Sequence, residues 1–137
     1  MPIQIKYIEG GFGVEFIGSG VVTGADIIKA NKEIYSNENF SRQRYQIVDR
    51  TNCKEFQVSN EEIRIIAEQD KAAAKINPNI IIALISKTDL QYGISRVYRA
   101  LVGDSGFLTE VFRDRKNAEE WLEKQLKKNN NGIKSDS

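Results

Sequence analysis

The residues able to do chemistry in this chain are few, and the missing ones narrow the field first. There is no histidine among the 137 residues. A Ser-His-Asp or Cys-His relay therefore lacks its base, and a zinc centre lacks imidazole ligands. Cys53 is the single cysteine, which excludes an internal disulfide and argues against a structural zinc. Only Arg50 and Lys54 stand near it in sequence, so it reads as an ordinary loop thiol rather than a nucleophile. What remains is a scatter of acids, bases and hydroxyls: Asp49, Arg50, Ser59, Asp70, Ser86, Lys87 and Arg113. No acid and base among them stand at a recognisable catalytic spacing. Gly10-Gly11 precedes no helix and is not a phosphate-binding fingerprint. The residues assign no catalytic group, no metal ligand and no cofactor, and the expectation is a protein that is not an enzyme.

These side chains need a scaffold, and its centre is Ile80-Ile-Ile-Ala-Leu-Ile-Ser86. An unbroken β-branched run this short predicts a strand covered on both faces. Pro78 stops the helix before it, and Lys87-Thr88-Asp89 open the next. Upstream, Ile3, Ile5 and Tyr7 alternate with polar residues as a strand, and Gly10-Gly11 predicts a hairpin. A second strand follows over 12–17 and is expected to end at Gly18-Ser19-Gly20. Thr23 with Asp26 opens a helix through about Tyr35. Arg44–Asp49 predicts the third strand, with Asp49 at its carboxyl end and a loop over 50–58. Ser59 and Glu62 form a capping-box pattern. The helix it opens has an inward stripe of Ile63, Ile66, Ala67, Ala73 and Ala74, interrupted by Asp70. A buried unpaired carboxylate is costly, so Asp70 is expected to pair with a lysine or arginine; the other reading is a cavity or partner at that point. Ile65, Ala72 and Ile76 make a narrower apolar line on the opposite face. In the next helix Leu90, Ile94, Val97 and Leu101 are expected inward, with Tyr92, Arg96 and Arg99 outward. A strand over 107–112 and a helix beginning near Asn117 complete the chain.

A hairpin followed by alternating strand and helix predicts an α/β domain with a mixed, mostly parallel five-stranded sheet and four helices over residues 1–128. Residues 129–137 are polar and are expected to carry no fixed structure. With 20 basic and 19 acidic side chains there is no electrostatic footprint for nucleic acid. No apolar run approaches membrane-spanning length, and a cytoplasmic location is expected. Ligands of open α/β sheets sit beyond the carboxyl ends of the parallel strands. That rule gathers Asp49, Arg50, Ser86, Lys87 and Arg113 as a ligand or partner rim. Tyr92, Arg96 and Arg99 have the composition of an interface, and a homodimer is the expected assembly.

The order of elements, with Gly18–Asp26, Tyr45–Asp49, Ile80–Ser86 and Glu110–Trp121, resembles the SpoIIAA-like fold of STAS domains (sulfate transporters and anti-sigma-factor antagonists). More closely it resembles the bacterial SpoIIAA-like proteins also described as STAS/SEC14 domain proteins. In the antagonists an Asp-Ser-Ser-Gly segment opens the second long helix and one serine is phosphorylated. The matching stretch is Val58-Ser-Asn-Glu61, which places Ser59 at the phosphoacceptor and lacks the aspartate, the second serine and the glycine. Ser59 also reads as a plain N-cap. The link to SEC14-like domains implies an apolar ligand pocket. The resulting expectation is a non-catalytic regulatory or protein-interaction module, with a binding protein for a small apolar or lipid-like ligand as the alternative. An apolar cavity favours the ligand; a filled core beneath an apolar outer helix face favours the protein partner.

Overall fold

The apolar run folds as β4 (Ile81–Ile85), buried along its whole length. It is covered twice because helices lie on both sides of the sheet. The structure, a computed structural model, describes the backbone of residues 2–136 and the side chains of residues 2–128. The expectation for residues 129–137 therefore falls outside the described side chains. Around β4 stand β1 (Ile3–Ile8), β2 (Gly13–Thr23), β3 (Tyr45–Gln57) and β5 (Leu108–Phe112). Their spatial order is β1-β2-β3-β4-β5, with β1 antiparallel to β2 and every other pair parallel. Each parallel step needs a crossover, and crossovers of one hand put their helices on one face. Those helices are α1 (Gly24–Tyr35), α2 (Asn60–Ile76) and α3 (Asp89–Val102); α4 (Arg115–Asp136) takes the other face.

Strand alternation divides the core accordingly. Val14, Phe16, Ile82, Leu84 and Val111 pack with α1, α2 and α3. Tyr45, Ile47, Ile81, Ala83 and Ile85 pack with Ala118 and Leu122 of α4. The first three helices each start with a capping box, formed by Thr23 and Asp26, Ser59 and Glu62, and Thr88 and Gln91. Each such cap contributes about 1 kcal/mol. At the other end of α2, the buried Asn77 amide donates to the carbonyls of Phe40 and Gln43, both at 2.9 Å. That side chain ties the end of α2 to the segment entering β3.

Three elements depart from their expected form, two of them together. β2 does not stop at Gly18, nor β3 at Asp49. Both run past the end of β4 as a two-stranded ribbon that pairs from Ser19 with Asn52 to Thr23 with Gln57. Thr51, Asn52, Lys54, Glu55 and Gln57 are polar because they face solvent, Arg50, Cys53 and Phe56 turn toward the helices, and β2 supplies the backbone hydrogen bonds of this ribbon. Shifts of register between Ile17 and Ser19 and between Gly20 and Val21 let the ribbon bend, and Gly20 takes the positive φ of 65° this needs.

The second departure is the rotation of α3. Its buried residues are Gln91, Ser95, Tyr98 and Val102. Leu90 and Val97 of the expected inward stripe are instead 62% and 48% exposed, and Ile94 and Leu101 are half-buried. The polar residues turn inward because each finds a partner there, described below.

Asn77→Ala removes the donors to two buried carbonyls. The variant should lose about 2 kcal/mol of unfolding free energy in urea titration. A loss below about 0.5 kcal/mol would mean that water replaces the amide without cost.

Candidate functional site

On the three-helix face the core is not filled. A half-open cavity of about 70 Å³ lies between the sheet and α1, α2 and α3. Its apolar wall comes from Phe16, Val22, Ile27, Val48, Ile63, Ile66, Ile82 and Leu84. Arg50, Cys53, Asp70, Ser95 and Tyr98 add polar groups to the lining.

Of these Asp70 is a buried carboxyl, 5% exposed on the inner side of α2. Among the described residues no cation pairs with it, which corrects the expectation of a lysine or arginine partner. Its carboxyl accepts hydrogen bonds from the hydroxyls of Tyr35 and Tyr98, and a longer one from the Asn31 amide at 3.5 Å. Burial raises its pKa from 3.8 to about 6, against the lowering effect of the two tyrosine hydrogen bonds. Burial, together with the charge of Asp70, holds both tyrosines well above their usual value, so they remain donors.

Arg50 enters the cavity from β3. Its Nη1 donates to Ser95 Oγ at 2.9 Å, and its guanidinium lies 4.6 Å from the centre of the Phe56 ring. Ser95 Oγ in turn shares a hydrogen bond of 2.9 Å with Ser86 Oγ. Burial lowers the Arg50 pKa to about 10, and among the described residues no carboxylate forms an ion pair with it. Cys53 sits beside it with its thiol pushed up by burial, the opposite of what a reactive thiolate needs. Its Sγ would lie 2.7 Å from a Cβ on Gly18, so any larger residue there would have to displace the thiol.

Asp49 is next to Arg50 in sequence and on the other side of the sheet. With Glu15 of β2 it faces the start of α4. Arg115 donates to both Glu15 oxygens, at 2.6 and 3.2 Å, to Asp49 Oδ2 at 3.1 Å and to Glu119 at 2.6 Å. Burial pushes the Asp49 carboxyl up, but hydrogen bonds from Thr51 and Arg115 outweigh it and hold the pKa below the usual value. Glu15 is only 7% exposed, so Arg115 is what makes its burial tolerable.

The expected rim is thus split four ways. Arg50 lines the cavity. Asp49 belongs to the Arg115 cluster on the opposite face. Lys87 and Arg113 do meet at the sheet edge, where Arg113 donates to the Lys87 carbonyl at 3.3 Å and to Asp89 at 2.8 Å. Ser86 is not on a rim at all but fully buried against Ser95. Tyr92, expected outward, is half-buried beneath Arg113, whose guanidinium lies 4.4 Å from the ring centre, with Arg96 at 6.0 Å. Arg99 is exposed and pairs with Glu110 at 2.8 Å. Ser59 is exposed, and its hydroxyl accepts from the Glu62 N–H at 3.1 Å as the cap of α2. Tyr35, Ser95, Tyr98, Glu15 and Arg115 did not stand out in the sequence. The signal for two of them was the spacing Gln91, Ser95, Tyr98, Val102, a helical stripe as regular as the apolar one.

Two predictions follow from these clusters. A carboxyl whose pKa is raised on folding costs nothing where both states are protonated, below about pH 4. The penalty grows as pH rises to about 6, reaching about 3 kcal/mol. Urea unfolding from pH 4 to 7 should therefore show the native chain losing stability relative to Asp70→Asn; a difference that is flat or of opposite slope refutes the assignment. Arg115→Met should cost about 2 kcal/mol, a buried pair discounted for the partial exposure of the arginine. Adding Glu15→Gln should restore part of that loss, and strict additivity of the two changes would show that the pair is not coupled.

No family model matches the sequence, and no curated protein matches it. Among the described residues no helix is long and apolar enough to cross a membrane. Among solved structures, the chain is similar to an uncharacterized protein of the DUF3478 family with a SpoIIAA-like fold from Shewanella loihica PV-4. The two are 19% identical, the match covers 88% of this chain and 91% of the other, and the TM-score is 0.56. That likeness and the sheet order described above agree: this chain has the SpoIIAA-like fold, with its cavity on the three-helix face.

Proposed function

We propose that the chain is a non-catalytic binding module of the cytoplasm that holds a small, largely apolar molecule between the sheet and α1–α3. The observation that carries this reading is the cavity itself, an unfilled space in a core whose other side is closed by α4. A void costs packing energy, and filling it with larger side chains would be a simple substitution. The polar groups that do reach the cavity are tied to one another, Asp70 to Tyr35 and Tyr98 and Arg50 to Ser95, which supports binding rather than catalysis. Asp49 and Arg50 face opposite ways, Ser86 is buried, and the Cys53 thiol is held up by burial.

A second reading is a regulatory contact with another protein, including a second copy of this chain. The exposed Leu90 and Val97 of α3 favour it. Ser59, exposed at the start of α2, would be its phosphoacceptor, at the expense of a hydroxyl already engaged as a cap.

The first reading is tested by native mass spectrometry on protein isolated from its own cells. It expects a retained apolar molecule at fixed stoichiometry, lost in Val48→Phe, where a ring would grow from the half-buried β3 wall into the cavity. A bare wild-type chain, together with uptake of the neutral dye Nile red that Val48→Phe leaves unchanged, would refute it. A bare dimer that Leu90→Ser with Val97→Ser turns into monomer would favour the second reading.

A further inference from the structure

Arg50 restricts what class of molecule the cavity can take. It is the only lysine or arginine in the lining. One of its N–H groups is used by Ser95, and one face of the guanidinium rests on Phe56. Nε and Nη2 have no protein acceptor, yet no buried donor among the described residues is orphaned, so these N–H groups keep access to the open space. That free edge is the parallel pair of donors that fits two oxygens of one planar anion. Two other charged residues belong to the lining: Asp70 is occupied by Tyr35, Tyr98 and Asn31, and the carboxylate of Asp49 is turned to Arg115 and Thr51, so among the described residues neither forms an ion pair with Arg50.

We propose that the cavity takes an amphipathic monoanion, a carboxylate on a short apolar body, with the carboxylate seated on the free edge of Arg50 and the body against the apolar wall. The inference rests on the reading of the cavity as a ligand site and adds the chemical class. A dianionic phosphate fits less well, because one guanidinium would face two charges with no second cation in the lining. Burial lowers the Arg50 pKa but leaves it protonated at neutral pH. An unpaired charge in an apolar setting is costly, and a ligand carboxylate relieves that cost. The size also constrains the body: 70 Å³ holds roughly five waters, about the bulk of five methylene groups, and a longer body extends out through the half-open mouth.

The test uses octanoate and 1-octanol as matched probes in isothermal titration against the native chain, Arg50→Met and Arg50→Lys. Octanoate affinity should fall at least about tenfold in Arg50→Met and recover in part in Arg50→Lys, while octanol affinity changes less than about twofold. Without ligand, the thermal midpoint of Arg50→Met should be no lower than that of the native chain. If octanoate binds equally well to Arg50→Met, or if only octanol binds the native chain, the carboxylate assignment is overturned and the cavity reading stands. If both affinities and the midpoint fall together in Arg50→Met, Arg50 is a packing residue and the assignment is again overturned. If neither probe binds the native chain, the cavity reading fails, and the assignment with it.

Discussion

The carboxylate of Asp70 orients everything around it. Leaving such a group buried and unpartnered would cost several kcal/mol, so the fold must bring donors to it. It does so from two directions, Tyr35 at the end of α1 and Tyr98 in α3. Once Tyr98 points inward, helical geometry carries Gln91, Ser95 and Val102 to the same face. Ser95 then reaches Arg50 and Ser86, and Gln91 closes its own capping box. The same rotation sends Leu90 and Val97 outward. The apolar surface of α3 and the polar lining of the cavity are thus two results of one buried charge on α2.

The sheet imposes the second constraint. Neighbours along a strand point to opposite faces, so Asp49 and Arg50 could never form one site. Each is answered by a different helix layer. Asp49 shares Arg115 with Glu15 on the α4 side. Arg50 meets Ser95 on the α3 side. The acidic pair has its cation supplied from the start of α4, while the basic residue has only a hydroxyl and an aromatic ring. That asymmetry separates a charge cluster closed within the protein from an arginine without a carboxylate partner among the described residues.

Most of the fold was legible from local pattern. The isoleucine run, the hairpin glycines and the caps at Thr23 and Ser59 each depend on nearby residues alone, and local rules suffice for them. The length of β3 was not legible, because Thr51–Glu55 reads as loop until β2 is known to continue beside it. The face of α3 was not legible either. Leu90, Ile94, Val97 and Leu101 outrank Gln91, Ser95 and Tyr98 in any count of apolar residues, and only the partners across the core reverse the choice. For the candidate site, Arg50 was found as part of a rim but not in its role, since its orientation depends on the extension of β3. Asp70 was visible as a break in pattern, although its partners proved to be tyrosines.

These misreadings share a location. The ribbon of β2 and β3, the rotated α3 and the tyrosine-bound Asp70 all border the same cavity. Local propensity and hydrophobic pattern describe what a chain does to bury apolar surface, and they fail where something else is being served. On the α4 side the apolar residues Ile81, Ala83 and Ile85 meet Ala118 and Leu122 as their pattern predicts, and the charges of Glu15 and Asp49 are answered within the protein by Arg115. On the other side, charge, hydroxyls and empty space replace the side chains that would close the core. A fold under selection for stability alone would have filled that space and neutralised Arg50 with a carboxylate of its own, as it neutralised Glu15 with Arg115.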